Sequence, residues 1–185
     1  MEKMREIETE RVRLRQFTMD DLDELARVFA SAQVMRFLGL NCEPMTREET
    51  ETALVSIIKH WERNNFGRWA VVSKANGEFI GCAGLRSFEG TAELVYLLDE
   101  PYWGKGLATE IARACLRYGF EHHNFPCIIA MTRHGNVRSQ NVLQKIGMRF
   151  EKEDTAFGVF VLLYSISREY YFASNPKSDL NSEQK

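Results

Sequence analysis

The stretch between residues 92 and 132 holds a strand pattern, a glycine loop, a helix pattern and a second strand pattern in direct succession. Ala92 to Leu98 is rich in strand-forming residues, and Leu107 to about Glu121 repeats apolar residues at helical spacing. Cys127 to Thr132 is a short apolar run typical of a buried strand. When a helix connects two strands of one sheet, those strands run parallel. The sequence therefore predicts a parallel strand pair.

The residues before this unit predict three more strands and two helices. RVRLRQF, residues 11–17, alternates apolar and polar side chains with the period of a half-buried strand. The stretches from Leu22 to Phe29 and from Thr46 to Trp61 have the apolar spacing of amphipathic helices, and a capping box starts the second. RWAVVSK and EFIGCAGL flank Asn76-Gly77, a strong hairpin signal, and predict two antiparallel strands.

The residues after the unit predict a helix from Asn136 to Ile146, ended by Gly147, and a last strand from Val159 to Ile166. A short additional strand is expected near Phe150. The resulting order is β, α, α, β, β, β, α, β, α, β, with about four helices. We therefore expect a mixed α/β fold with one antiparallel hairpin and one parallel strand pair.

Composition limits the partners that such a fold can have. With 185 residues, 44% of them hydrophobic, the chain is long enough for one domain with a sizeable core. We expect the domain to cover residues 1–172 and the polar residues 173–185 to be a disordered tail. The 24 basic and 26 acidic residues give no basic surface that indicates nucleic acid or a membrane as a partner.

The four cysteines are scattered through the chain, mostly in apolar surroundings: Cys42, Cys82, Cys115 and Cys127. The sequence has no secretory signal pattern and no run of about 18 apolar residues that would span a membrane. These features predict four reduced thiols and a cytoplasmic location.

Gly104 and Gly106, in the sequence EPYWGKGLATE, leave bare backbone where a strand turns into a helix. Convergent N–H groups and a helix N-terminus favour an anion such as phosphate. A P-loop does not fit, because Asp99 stands at the first glycine position and Gly106 replaces the magnesium-binding hydroxyl residue. A dinucleotide fingerprint fits weakly, since Thr109 occupies the third glycine position. Two glycines needed only for a tight turn remain an alternative.

The segments YLLDEPYWGKGLATE and NVRSQNVLQKIGM together resemble the acetyl-CoA-binding core of the GNAT superfamily, in particular its Rim-type protein N-terminal acetyltransferase branch. The resemblance extends over roughly residues 9–171. It implies the GNAT fold, a mostly antiparallel central sheet in which one parallel pair of strands splays apart around the cofactor. The general loop pattern falls on Trp103, Gly106 and Ala108, with Trp103 departing from the general pattern and resembling the Rim-type branch.

The resemblance assigns binding of acetyl-CoA to two stretches of backbone. Strand backbone is implied to hold the pantetheine arm, loop amides the pyrophosphate, and an asparagine after the second parallel strand is implied to face the cofactor arm. A backbone N–H of Leu97 or Leu98 is expected to bind the developing thioester oxyanion. The implied cofactor-binding residues are Tyr96, Leu97, Leu98, Trp103, Gly104, Lys105, Gly106, Leu107, Ala108, Thr109 and Asn136.

Acetyl transfer to an amine also requires a proton acceptor for the amine and a proton donor for the departing thiolate. Glu93, in the pattern A-E-x-x-Y, is a candidate general base by resemblance, and a rim carboxylate at a strand start is the alternative. Position 143, where many members of the superfamily have a tyrosine as acid, is Leu here. The branch has a serine three residues after the asparagine, so Ser139 is the candidate to hydrogen-bond or protonate the sulfur; a plain helix N-cap at Asn136 is the alternative.

The sequence thus predicts an acetyl-CoA-dependent N-acetyltransferase that passes acetyl directly to a primary amine, with protein N-termini as first acceptor. The alternatives are a small-molecule amine acceptor (polyamine, amino acid or amino sugar) and a non-catalytic acyl-CoA-binding module. No metal is expected, because the spacing of His122, His123, Cys127 and His134 matches no zinc pattern. Either a monomer or a homodimer is compatible with the sequence.

Overall fold

The computed structural model describes residues 6–39 and 41–175. Eight strands form one sheet in the order β1-β2-β3-β4-β5-β6-β8-β7. Their bounds are β1 Ile7–Glu8, β2 Val12–Arg15, β3 Arg68–Ser73, β4 Phe79–Phe88, β5 Thr91–Leu98, β6 Cys127–Thr132, β7 Arg149–Ala156 and β8 Val159–Ser167. The α-helices of the described residues are α1 Leu22–Phe29, α2 Ala32–Met35, α3 Arg47–Asn64, α4 Leu107–His122, α5 Val137–Lys145 and α6 Arg168–Ser174.

The predicted parallel pair is confirmed as β5 and β6, and the neighbouring strands elsewhere in the sheet are antiparallel. β5 and β6 pair only at their beginnings, where Ala92 lies opposite Ile128 and Glu93 opposite Ile129. Beyond these positions β5 remains paired only with β4, and β6 remains paired only with β8. The two strands therefore enclose a gap, the strand gap, which opens toward their carboxyl ends.

The helices cover both faces of the sheet because both faces carry apolar side chains. Alternate residues of β5, including Ala92, Leu94 and Leu98, lie in the larger core cluster with α4. Leu97, on the opposite face, packs against the second cluster, which is built from α1, α2 and α3. Each face of β5 thus has its own core, and the strand gap lies between them.

Two short helices and the length of β7 differ from the sequence prediction of about four helices and a short strand near Phe150. The four-residue α2 and the seven-residue α6 are too short to show an apolar periodicity, although a serine side chain caps each. β7 has no apolar alternation because seven of its eight residues are exposed or half-buried. Its pairing with β8 makes it a strand.

All four cysteines are free thiols, as predicted. The chain is helical to Ser174, past the expected domain end at Phe172. The predicted disorder of the tail falls mainly on residues 176–185, outside the described residues, and stays a prediction.

Candidate active site

The strand gap is bordered by the backbone of β5. Asp99 N–H donates to Ile80 O at 2.8 Å, so the backbone groups of Asp99 face β4. The two-residue turn that joins β4 to β5 sets the same pattern from the other end of the pair, where Phe88 lies opposite Thr91. In an antiparallel ladder, backbone groups of alternate residues face alternate sides. Tyr96 and Leu98 therefore present their backbone groups to the strand gap, whereas Leu97 faces β4. Of the two residues expected to bind an oxyanion, Leu98 is the one whose backbone N–H faces the strand gap.

The glycine loop lies at the mouth of the strand gap. Gly104 and Gly106 have φ values of +73° and +78°, in the left-handed region that favours glycine, and Gly106 is the N-cap of α4. A Cβ added to Gly104 would meet no atom within 4 Å. The loop is tied to the strand because the Trp103 indole N–H donates to Leu98 O at 2.7 Å. Bare backbone, a helix N-terminus and open space fit the pyrophosphate of a coenzyme A thioester.

The remaining loop residues predicted to bind the cofactor form the first turn of α4. Leu107 is buried in the core, whereas Ala108 and Thr109 are half-buried. Lys105 is exposed, and its Nζ lies 5.4 Å from the ring centre of Tyr102. Leu107 therefore anchors the helix, and its buried side chain leaves only its backbone N–H available to a ligand.

Two arginines beside the loop were missed by sequence reasoning. Arg11 donates from Nη1 to Lys105 O at 2.7 Å and from Nε to the Glu110 carboxylate at 2.6 Å. Arg138, on α5, lies 5.1 Å above the ring centre of Trp103. Arg138 adds positive charge where an anion is expected, whereas the charge of Arg11 is offset by its ion pair with Glu110. Arg11 belongs to an alternating strand and Arg138 to an exposed helix turn, so neither carried a local signal.

On the α4 face of the gap, Tyr96 and Ser139 are brought together although 43 positions separate them. Tyr96 Oη lies 2.9 Å from Ser139 Oγ, and burial raises the pKa of Tyr96 to about 12. Asn136 caps α5, since its Oδ1 accepts from Ser139 N–H at 3.2 Å. Leu143 stands at the position where many members of the superfamily have a tyrosine, and its side chain is buried in the core. Tyr96 thus brings its side-chain hydroxyl to the site, whereas the sequence predicted only a backbone role for this residue.

Glu93 lies on the other face of β5 from Tyr96. Its side chain is 3% exposed, and Arg86 Nε donates to its Oε2 at 2.5 Å from the directly opposite position on β4. The ion pair explains how a buried carboxylate is tolerated there. It leaves Oε1 as the oxygen able to accept a proton. Glu93 and Ser139 are therefore not adjacent: they flank the strand gap from opposite faces of the sheet.

A cleft of about 540 Å³ lies beyond the carboxyl end of β6. It is bordered by the segment after α2, the turn before α5 and the β7–β8 hairpin. Its lining combines cationic and aromatic side chains, namely Arg36, Phe37, Arg133, His134 and Phe160. Phe160 is 79% exposed, more than any other large apolar side chain of the described residues. The cleft is a candidate site for the amine acceptor.

The histidines considered above are dispersed. His134 Nε2 contacts Glu153 at 2.9 Å, and His123 Nε2 contacts Tyr118 Oη at 2.9 Å. Within residues 6–39 and 41–175, no group of three or more His, Cys, Asp or Glu side chains could hold a metal ion. Over the same residues, no helix is both long and apolar enough to cross a membrane.

A mostly antiparallel sheet that opens at one parallel pair, with a glycine loop and a helix N-terminus at the opening, defines the class of N-acetyltransferases that use a coenzyme A thioester. The chain belongs to the GNAT acetyltransferase family: the family model for the acetyltransferase (GNAT) domain matches residues 11–149. The protein is an N-acetyltransferase, and the predicted family is confirmed.

The chain is also similar to individual proteins. YkkB of Bacillus subtilis is 33% identical over 157 residues, covering 78% of this chain and 85% of that protein. The N-acetyltransferase p20 of Bacillus licheniformis is 28% identical over 180 residues, covering 90% and 99%. A RimL acetyltransferase of ribosomal protein L7/L12, solved in complex with coenzyme A, has the same fold, with a TM-score of 0.77, 17% identity and coverage of 90% and 99%.

Proposed function

We propose that the protein binds acetyl-CoA in the strand gap and transfers the acetyl group directly to a primary amine, with protein N-terminal amines as the acceptor class. The observation that carries the proposal is the strand gap itself. It is closed at one end, where two residues of β5 pair with two residues of β6, and the glycine loop lies at its open end. The RimL-like fold supports the choice of acceptor. The sequence-based expectation of a cytoplasmic monomer or homodimer belongs to the same proposal.

The proposed roles follow from the two faces of β5. Loop amides from Gly104 to Thr109 hold the pyrophosphate, and the backbone of Tyr96 and Leu98 holds the pantetheine arm. Acetyl-CoA, when bound, supplies the activated acetyl group. The Leu98 N–H donates to the thioester oxygen, whose negative charge grows as the amine attacks. The strand gap thus binds the donor and stabilises the charge that develops on it.

Proton transfers are assigned to side chains on opposite faces. Glu93 Oε1 accepts a proton from the incoming ammonium group, directly or through a water molecule, on the face covered by α1 and α3. Ser139 and Tyr96 donate a hydrogen bond to the departing sulfur on the face covered by α4 and α5. Because the groups are separated by the sheet, base and acid do not neutralise each other.

A non-catalytic acyl-CoA-binding module is the main alternative from a different class. Such a module has no need for a buried carboxylate and a Tyr96–Ser139 pair at the same gap. A small-molecule amine would use the same donor site and differ only in the cleft beside β6.

The test is an assay of coenzyme A release with a panel of N-terminal peptides, polyamines, amino acids and amino sugars. We expect turnover with N-terminal peptides to exceed that with every small amine. A small amine as the best substrate would contradict the acceptor class, and tight acetyl-CoA binding without turnover on any amine would contradict the enzyme.

A further inference from the structure

Arg68, the first residue of β3, has a guanidinium group that makes neither a hydrogen bond nor an ion pair with any described residue. The residue is half-buried, and each guanidinium nitrogen remains in contact with solvent. Burial lowers the pKa of Arg68, and the nearby charges are the cation of Arg86 and the carboxylate of Glu93, which is already bonded to Arg86. A partly desolvated cation is unfavourable until an anion joins it. An arginine at this position therefore indicates an anionic partner from outside the chain.

The register of the sheet places Arg68 on the face of β5 that carries Glu93. Arg68 lies opposite Gly84 on β4, and Gly84 lies opposite Val95 on β5. Paired residues of antiparallel strands share a face, and Glu93 is two positions from Val95, so all of these positions face the same side. Gly84 has no side chain that could separate Arg68 from β5. The guanidinium group and the candidate general base therefore belong to one face of the sheet, the face covered by α1 and α3.

The separation of Arg68 and Glu93 fits a molecule that carries opposite charges close together. Their backbones are two strand spacings and two positions apart, about 12 Å. Two long side chains on one face span most of this distance, in agreement with the charge interaction between them. An ammonium group on Glu93 Oε1 leaves a carboxylate of the same molecule within reach of Arg68.

We infer that Arg68 binds a carboxylate of the amine acceptor, only a few carbon atoms from the amine that is acetylated. In a protein N-terminus this group is the side chain of an aspartate or glutamate as first residue, and in a free amino acid it is the α-carboxylate. The planar guanidinium group matches a carboxylate with two parallel hydrogen bonds. The inference rests on the proposed function, whose acceptor class it narrows to acidic N-termini.

The candidate acceptor cleft beside β6 favours the same kind of molecule. Its lining includes Arg36, Arg133 and His134, and no carboxylate of the described residues lines it. Glu153 contacts only the histidine of this group, at 2.9 Å. The chain as a whole has more acidic than basic residues, 26 against 24, so the cationic lining does not follow from composition. Such a lining attracts an acidic acceptor and repels a polyamine.

Two amidated tripeptides test the inference: aspartyl-alanyl-alanine amide and asparaginyl-alanyl-alanine amide, which differ in charge but hardly in shape. We expect the wild-type kcat/KM to be about 10-fold to 50-fold higher for the aspartyl peptide. In Arg68→Met, this preference should fall below about 2-fold, with the asparaginyl peptide little affected and the melting temperature equal to or above that of wild type. Arg68→Lys should keep part of the preference. Arg13→Met, which removes an exposed arginine of β2, is the control and should keep all of it.

Equal kcat/KM for the two peptides in wild type, or a preference that Arg68→Met retains, would overturn the inference. Free alanine and alanine amide distinguish the source of the carboxylate. Acetylation of free alanine that is faster than that of the aspartyl peptide and depends on Arg68 would support the carboxylate site and contradict the protein N-terminal acceptor.

Calorimetry with the acetylated product peptides and coenzyme A tests the site without turnover. The acetyl-aspartyl peptide should bind wild type more tightly than the acetyl-asparaginyl peptide, and Arg68→Met should remove the difference. If wild type neither binds acetyl-CoA nor acetylates any amine, the proposed function fails. Binding of the aspartyl peptide that depends on Arg68 would still support the carboxylate site in that case, and its absence would overturn both.

Discussion

At the scale of single residues, the site depends on backbone conformation as much as on side chains. Gly106 and Gly77 have nearly equal φ values, +78° and +75°, but only Gly106 lies at the strand gap. An L-residue at either position costs about 1 kcal/mol in the free energy of unfolding. Comparing substitutions at the two glycines therefore separates the cost of a strained backbone from the loss of a binding surface.

Gly106→Glu should abolish acetyl-CoA binding, because its side chain fills the loop and its charge opposes the phosphates. Gly77→Glu should lower the melting temperature by a similar amount and leave the calorimetric affinity at the wild-type value. Equal affinities for the two variants would show that the loop is not the phosphate site.

The candidate proton-transfer residues should act on turnover and not on binding of the donor. We expect Glu93→Gln to lower kcat by about 100-fold and Ser139→Ala by about 10-fold, with little change in acetyl-CoA affinity. Wild-type kcat in the Glu93→Gln enzyme, with a lowered melting temperature, would assign Glu93 only the ion pair with Arg86.

At the scale of elements, strong local periodicity made most helices and strands predictable, and β6 has the predicted bounds. The same locality explains what was missed. Tyr96 and Ser139 lie 43 positions apart, so their contact depends on how β5 and α5 pack and has no local sequence signal. β7 was underestimated because its apolar content is low and its partner β8 comes later in the chain.

Trp103 joins the glycine loop to β5, and removing its indole N–H should loosen the loop. Trp103→Phe keeps a ring against both cores but loses the bond to Leu98 O. We expect weaker acetyl-CoA binding, by about 5-fold to 10-fold, with a loss of about 1 kcal/mol in the free energy of unfolding. An unchanged affinity would show that the loop holds its conformation without this bond.

At the scale of the whole molecule, α3 is joined to β4 through a neutral histidine. His60 Nδ1 lies 2.9 Å from Phe66 O, and Ser87 N–H donates to Nε2 at 3.1 Å, so the proton is on Nδ1. Burial lowers the pKa of His60 below its ordinary value of 6.5. As the pH falls through 6.5, the unfolded chain therefore binds this proton first, and stability decreases until the pH reaches the pKa of the folded state.

His60→Gln should consequently reduce the loss of melting temperature on going from about pH 7.5 to about pH 5.5. His122→Gln, which changes an exposed histidine of α4, is the control. The same pH dependence in all three proteins would contradict the assignment of this acid sensitivity to His60.

The proposed function places the donor in the strand gap, with its phosphates on the glycine loop. Hydrogen–deuterium exchange with and without acetyl-CoA measures this directly at the backbone. We expect slower exchange in peptides covering residues 94–110 and 130–140, and no change in β1 to β3. Protection absent from these two segments, or confined to another part of the chain, would contradict it.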